Sequence, residues 1–213
     1  MSIRAAINGY GRIGRCLLRA ACERGLEGAL DIVAINEIAH LDTMAYLTRY
    51  DTTHGRFPGS VEANAQGLLI DGRTIAVSGI KAVEQLDWRV AGVDLVFECS
   101  GRFSSREQAQ VHIERGAERV LFSQPADADI DATVVYGINH HGLGAAHRVI
   151  SAAACSTNCI VPVIDALDRA LGVDSGVITT IHSAMNDQPV LDAYHHTDLR
   201  KTRAALQSII PVD

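Results

Sequence analysis

Aromatic side chains make up only 5% of this 213-residue chain, and tryptophan occurs once. Positive charge is not in excess either: 19 Lys and Arg stand against 25 Asp and Glu, for a net charge of −6. A chain short of both stacking surfaces and cations is a poor partner for nucleic acid or an anionic membrane. The basic cluster Leu199-Arg-Lys-Thr-Arg203 is long enough for a local anion site, not for a duplex-binding face. No apolar run approaches the ~20 residues that span a bilayer. The first residues, Met1-Ser-Ile-Arg4, lead straight into an apolar strand without the apolar core of a signal peptide. Cysteine is sparse and odd in number, at Cys16, Cys22, Cys99, Cys155 and Cys159, with neither a disulfide framework nor a CxxC pair. A reducing, cytoplasmic setting is therefore expected. The histidines show no ligand spacing with acids or thiols. The side chains of the adjacent pairs His140-His141 and His195-His196 are expected to diverge, so no metal site is expected. Internal repeats and low-complexity tracts are absent.

What is present is an ordinary globular balance, 47% hydrophobic and 21% charged. Its apolar residues alternate between strand-like and helix-like runs. Ile3–Asn8 reads as a strand, Arg12–Arg24 as a helix with Ile13, Cys16, Leu17 and Ala20 at helical spacing, and Asp31–Asn36 as a second strand. Leu41–Leu47 is expected to be helical. Leu68–Ile70 and Thr74–Val77 flank an Asp71-Gly72 hairpin signal. Val93–Cys99, Arg119–Ser123 and Thr133–Tyr136 read as strands, with a helix over Ser104–Arg115. Strands alternating with helices predict an α/β fold, a doubly wound and mostly parallel sheet. Beyond it, Cys159–Leu171 is expected to be helical and Gly176–His182 a strand. Ser183–Ser208 reads as a long irregular segment, of a kind that is usually functional or disordered.

Two sets of residues carry chemistry. The glycines of Gly9-Tyr-Gly-Arg-Ile-Gly14 close a strand and open a helix, the context of a dinucleotide fingerprint. Gly9 permits the tight turn, Gly11 lets backbone approach a pyrophosphate, and Gly14 lets helix and sheet pack closely. Glu37 falls about 20 residues further on, where a carboxylate accepts from the ribose 2′-OH of NAD and repels a 2′-phosphate. The second set is Cys155, where a small polar loop meets a helix, and His182 at the end of the next predicted strand. A helix N-terminus favours the thiolate, and an adjacent imidazole is the other usual means of activation. Taken by themselves, Cys155 reads better as a small buried hydrophobe and His182 as a strand-end histidine. Joined to a dinucleotide site, they point to oxidation of an aldehyde through a covalent thioester. Cys16, Cys22 and Cys99 read as core residues, and Cys159 as a packing residue.

Five segments together resemble the glyceraldehyde-3-phosphate dehydrogenase family: Ile7-Asn-Gly-Tyr-Gly-Arg-Ile-Gly-Arg15, Tyr50-Asp-Thr-Thr-His-Gly-Arg56, Glu98-Cys-Ser-Gly101, Cys155-Ser-Thr-Asn-Cys159 and Leu199-Arg-Lys-Thr-Arg-Ala204. The resemblance implies a Rossmann NAD-binding domain over residues 1–154 and the first part of an α+β catalytic domain over 155–213. It implies Cys155 as nucleophile and His182 as its activator. It implies NAD held by Gly9, Gly11, Arg12, Ile13, Gly14, Glu37 and Lys81, with Ser100, Gly101 and Ser123 on the nicotinamide side. Ala154, Ser156, Arg200 and Lys201 match positions that face a phosphorylated aldehyde or inorganic anion. A homotetramer is implied as well.

Val33-Ala-Ile-Asn-Glu37 and His182-Ser-Ala-Met-Asn-Asp-Gln188 resemble the branch of the family that oxidises D-erythrose 4-phosphate. Met185 and Asp187 stand where the glyceraldehyde 3-phosphate enzymes usually carry phosphate-holding threonines. A phosphorylating glyceraldehyde-3-phosphate dehydrogenase and a non-catalytic NAD-binding fragment remain open as alternatives. Ala152, Ala154, Ser156 and Lys201 depart from the usual Asn, Ser, Thr and Arg, and the changes at 154, 156 and 201 are expected to weaken anion binding beside the sulfur. Family members continue for roughly another half-domain. The resemblance therefore implies that these 213 residues are a piece of the catalytic unit, weak in turnover by themselves.

Overall fold

A computed structural model describes residues 2–195 and 197–211. By its contacts the chain divides into two units, Met1–Gly172 and Val173–Asp213.

The first unit runs β1 (Ile3–Asn8), α1 (Arg12–Glu23), β2 (Leu30–Asn36), α2 (Leu41–Arg49), β3 (Tyr50–Asp51), β4 (Gly55–Arg56), β5 (Val61–Asn64), β6 (Gly67–Ile70), β7 (Arg73–Ser78), α3 (Trp88–Ala91), β8 (Leu95–Glu98), α4 (Arg106–Glu114), β9 (Arg119–Phe122), β10 (Ala132–Thr133), β11 (Val149–Ser151) and α5 (Cys155–Leu171). Nine strands form one sheet in the order β10-β11-β9-β8-β1-β2-β7-β6-β5. Every neighbouring pair is parallel except β5–β6 and β6–β7, which form the antiparallel edge. The fold is thus the doubly wound, mostly parallel α/β sheet read from the alternation of segments. From β1 the chain passes first to β2 on one side and later to β8 on the other. The order reverses at β1, and in such sheets ligands settle outside the carboxyl ends of the strands at that point.

The core lies on both faces of this sheet. Ile7, Ile35, Leu68 and Phe57 join Leu18 of α1 and Met44 of α2 on one face. Ala6, Val96, Val83 and Trp88 gather on the other, and Phe122, Val120 and Val149 pack with Ala109 of α4. Gly14 belongs to this packing: a Cβ there would lie 2.4 Å from the carbonyl oxygen of Gly9. Buried Arg19 sends its guanidinium under the β3–β4 turn, donating to the carbonyls of His54, Gly55 and Arg56 at 2.7–3.0 Å. Helix α4 opens on a capping box between Ser105 and Gln108.

Four expectations need correction. Gly176–His182 is not a strand: no sheet pairing is formed along it, and Val177 and Ile181 are 96% and 89% exposed. A β-branched run becomes a strand only against a neighbour and a buried face, and here it has neither. The strand expected at Thr133–Tyr136 is reduced to Ala132–Thr133, because its partner β11 ends at Ser151, whose carbonyl takes the last bond, from Val134 N at 2.8 Å. Cys159 is exposed instead of packed. The His140 and His141 rings do not diverge: their centroids lie 3.8 Å apart. The other pair includes His196, which lies outside the described residues.

Candidate functional site

Five of the dinucleotide residues, Gly9, Gly11, Arg12, Ile13 and Gly14, sit where β1 turns into α1. Gly9 has φ +90°, and a Cβ there would come within 2.5 Å of the Ser100 backbone. Only glycine meets both demands at once. Gly11 is the opposite case, since a Cβ there would meet nothing within 4 Å. Its value is the open space above bare backbone. Gly11 is also the N-cap of α1, and no side chain caps that helix. The first N–H groups of α1 therefore have no side-chain cap, and uncapped helix N-termini of this kind receive anionic pyrophosphates.

The crevice is a cavity of about 220 Å³ at the carboxyl ends of the central strands. Gly9, Gly11, Glu37, Lys81 and Ser100 line it, and so do Asn8 and Asn36. Glu37 is held firmly. Its Oε2 accepts from Tyr10 N at 2.8 Å, and its Oε1 from the backbone N–H groups of Ile38 and Ala39 at 2.8 and 3.1 Å. A carboxylate fixed by backbone donors offers a defined acceptor and a defined negative charge at the ribose end. Arg12, Ile13, Gly14, Gly101 and Ser123 do not line the cavity. Arg12 pairs with Asp51, Ile13 is half exposed, and Ser123 donates its N–H to the Glu98 carbonyl at 3.0 Å. A larger cavity of about 280 Å³ opens beside the start of β2, where Arg4 and Arg73 both pair with Asp31.

Cys155 is the first residue of α5, a helix of 17 residues, and its side chain is exposed. The approach to it is strained: Ala153 is buried and has φ +59°, in the left-handed region that alanine rarely enters. That turn is over-determined. Ser151, fully buried at the end of β11, donates its hydroxyl to the Gln124 carbonyl at 2.6 Å and accepts from Ala153 N at 3.0 Å. Asn158 donates back to the carbonyls of Ala152 and Ala154 at 2.7 and 2.9 Å. Ala154 is the N-cap and gives no side-chain cap, so the loss of a serine there has a direct local meaning. By contrast, burial pushes the Cys99 thiol up to about 11, and burial together with Glu27 and Asp71 raises the Cys22 thiol. Those two are suited to packing, not to attack.

The second unit holds His182, Arg200 and Lys201. His182 Nδ1 donates to the Ser183 carbonyl at 2.7 Å, which leaves Nε2 as the basic nitrogen of the neutral ring. Lys201 Nζ lies 2.6 Å from Asp187 Oδ2, an ion pair that holds the Asp187 carboxyl below its usual range. Arg200 forks onto Asp198 at 3.0 Å, and Arg203 pairs with Asp192 at 2.7 Å. The basic cluster is therefore charge-compensated, which periodicity and composition could not reveal. Cys155 belongs to the first unit and His182 to the second.

Sequence reasoning also missed a buried polar row beneath the crevice floor, running through Asn36, Asn8 and Glu98. Its one sequence signal is a carboxylate closing the apolar run Val93–Cys99, since buried Glu is rare unless paired.

A doubly wound sheet with a glycine-walled crevice at its switch point defines a dinucleotide-binding protein. The comparison with known families makes this specific. Residues 3–106 match the NAD binding domain of glyceraldehyde 3-phosphate dehydrogenase, and residues 154–213 match its C-terminal domain. The chain carries both domains of the glyceraldehyde 3-phosphate dehydrogenase family, a family of NAD-dependent dehydrogenases, and NAD is its cofactor.

Proposed function

We propose that this protein oxidises D-erythrose 4-phosphate to 4-phospho-D-erythronate, as a D-erythrose-4-phosphate dehydrogenase, through a thioester on Cys155. The observation that carries the reading is an exposed Cys155 thiol at the start of a long helix, behind a strained turn, in a chain with both family domains. NAD, when bound, accepts the hydride. The crevice suits it: open backbone at Gly11, uncapped N–H groups at α1, and the fixed carboxylate of Glu37.

In this reading the Cys155 sulfur adds to the aldehyde carbon, and His182 Nε2 takes the proton of the resulting hydroxyl. As hydride leaves that carbon, the thiohemiacetal becomes a thioester. The imidazolium releases that proton to solvent; His182 then takes a proton from water as it attacks the thioester and passes it to the departing sulfur, releasing the acid and restoring the thiol. Gly9, Gly11, Glu37 and Lys81 hold the cofactor from the crevice wall, with Ser100 on its nicotinamide half; Arg12, Ile13, Gly14, Gly101 and Ser123, which do not line the cavity, keep the cofactor roles that the family resemblance gives them. Ser100 would meet the nicotinamide half with backbone, because its hydroxyl is spent inward on Glu98. Ala154, Ser156, Arg200 and Lys201 border the substrate.

The Asp187–Lys201 pair supports the four-carbon substrate. By the resemblance, Asp187 and Met185 stand where phosphate-holding threonines would serve glyceraldehyde 3-phosphate, and the Asp187 carboxylate is held by Lys201. We further propose the division into an NAD-binding domain, 1–154, and catalytic residues, 155–213, in a cytoplasmic homotetramer whose product feeds pyridoxal phosphate synthesis. Among the described residues no helix is long and apolar enough to cross a membrane. Initial rates with the two aldehydes, each with and without inorganic phosphate, test the substrate. Faster phosphate-independent turnover of erythrose 4-phosphate is expected. Phosphate-dependent preference for glyceraldehyde 3-phosphate would sink the reading.

A further inference from the structure

Glu98 and His112 are fully buried and carry no part of the chemistry above. They end a row that crosses the sheet in register, since Ser78 faces Asn36, Asn36 faces Asn8, and Asn8 faces Glu98. The donors and acceptors along this row admit one assignment. The backbone N–H of Ile80 can only donate, and it meets Asn36 Oδ1 at 2.9 Å. Asn36 Nδ2 therefore donates to Asn8 Oδ1 at 2.8 Å, which turns Asn8 Nδ2 toward Glu98 Oε2 at 2.6 Å. From the other end, the Trp88 indole N–H donates to His112 Nδ1 at 3.1 Å. The neutral ring must then carry its proton on Nε2, 3.0 Å from the same Glu98 oxygen. Glu98 Oε1 accepts the Ser100 N–H at 2.8 Å and the Ser100 hydroxyl.

The N–H partners all present a hydrogen to Glu98, and the Ser100 hydroxyl can do the same, so the surroundings are those that a carboxylate accepts. That carboxylate ties together the two walls that meet at Gly9. Asn8 precedes the glycine, and Ser100 is the residue whose backbone a Cβ at Gly9 would strike.

We propose that Glu98 is a positioning residue for the dinucleotide crevice: it fixes the Cys99–Gly101 backbone against the Asn8–Gly9 turn, and so sets the half of the crevice on the β8 side. The inference rests on the NAD reading of the crevice and is independent of which aldehyde is oxidised.

The isosteric change Glu98→Gln isolates the claim. An amide offers one acceptor and one donor where two acceptors are needed. With its NH₂ toward Ser100 it meets an N–H that cannot reverse. With its NH₂ toward Asn8 and His112 it meets an amide locked by Ile80 and a tautomer locked by Trp88. Buried donors left facing a donor are costly enough to shift a loop.

Calorimetric titration with NAD and with adenosine 5′-monophosphate tests this in the full chain, beside Trp88→Phe as a control. Trp88→Phe removes the far anchor of the row without touching the crevice. Glu98→Gln is expected to weaken NAD roughly tenfold, the scale of one buried unsatisfied donor. It should leave the monophosphate, bound at the Glu37 side, unchanged within about twofold. Trp88→Phe is expected to lower the thermal midpoint and leave NAD binding intact.

Unchanged NAD affinity in Glu98→Gln overturns the proposal. So does a parallel loss of both ligands, or a loss in Trp88→Phe that tracks its stability, because a merely structural role would produce those. If the glutamine variant does not fold, Glu98→Asp keeps the charge, pulls the oxygens back, and must show the same split in smaller measure; full NAD affinity there overturns the proposal. A parent chain that failed to bind NAD would instead strike the cofactor reading itself.

Discussion

The two units of this chain are held together in different ways. In the first, seven of the largest fully buried side chains are apolar, and the polar ones among them, Glu98, His112 and Ser151, are tied into hydrogen bonds. In the second, Ala204 is the one buried residue among those described. Ion pairs within the unit, Asp198 with Arg200, Asp187 with Lys201 and Asp192 with Arg203, take the place of a core. Exposed pairs of this kind contribute about 0–1 kcal/mol each. The cofactor half is therefore preorganised by packing, whereas the residues expected to meet substrate rest on charge. The thiol belongs to the packed unit, at the start of α5, and its proposed base to the other.

The sharpest way to break the comparison is to remove one chemical group from each unit. Cys155→Ser is expected to abolish turnover and leave NAD binding intact, since the crevice needs nothing from the sulfur. His182→Asn is expected to slow turnover by about 10²–10⁴, the worth of a positioned general base. Steady-state rates and NAD titrations on both variants check this. Near-full activity in Cys155→Ser would end the thioester mechanism.

Glu37 tests how far preorganisation reaches. Three backbone N–H groups fix its carboxylate. Glu37→Ala should narrow the gap between NAD and NADP affinity by about 1–2 kcal/mol, the scale of a hydrogen bond to a charged group. Tighter NADP binding by the parent chain would contradict the assignment.

The end of α5 offers a smaller test. Ala154 caps nothing. Ala154→Ser is expected to raise stability by about 1 kcal/mol in urea titration, the usual worth of an N-cap hydroxyl. No gain would mean that the strained turn at Ala153 holds the cap position out of reach.

The smallest effect concerns Asp131, which joins α4 to β11. Burial alone would raise its carboxyl. The Arg106 guanidinium and the N–H groups of Arg148 and Val149 outweigh that and bring it from 3.8 to about 2. A carboxyl depressed in the folded state stabilises above its unfolded value and loses that contribution as pH falls from about 4 to 2. About 1 kcal/mol should disappear over that window, given partial screening by solvent. Asp131→Asn should flatten the pH dependence of the urea midpoint there. An unchanged slope would show that the interaction is screened away.

Much of the first unit was legible because its signals are local. β1, α1, β2 and α2 follow directly from apolar spacing, and the fingerprint glycines take the positions that their backbone demands. Legibility fails where structure depends on distant partners. β5, β10 and β11 are short runs whose identity comes only from the strands beside them, while Gly176–His182 has strand composition and no such neighbour. The buried row was missed for the same reason. Glu98 and His112 lie in different elements, and their meeting is a property of the fold. The compensation of Arg200, Lys201 and Arg203 likewise depends on where three aspartates come to rest.

The account's central claim is that the start of α5 makes Cys155 a nucleophile. Cys159 provides an internal control: it lies one turn further along the same helix and is likewise exposed. The rate of alkylation of each cysteine at neutral pH, resolved by peptide mass mapping, tests the claim most directly. Cys155 is expected to react at least about tenfold faster than Cys159, as a thiolate favoured by the helix N-terminus would, with Cys22 and Cys99 slower still. Equal rates at Cys155 and Cys159 would contradict the account.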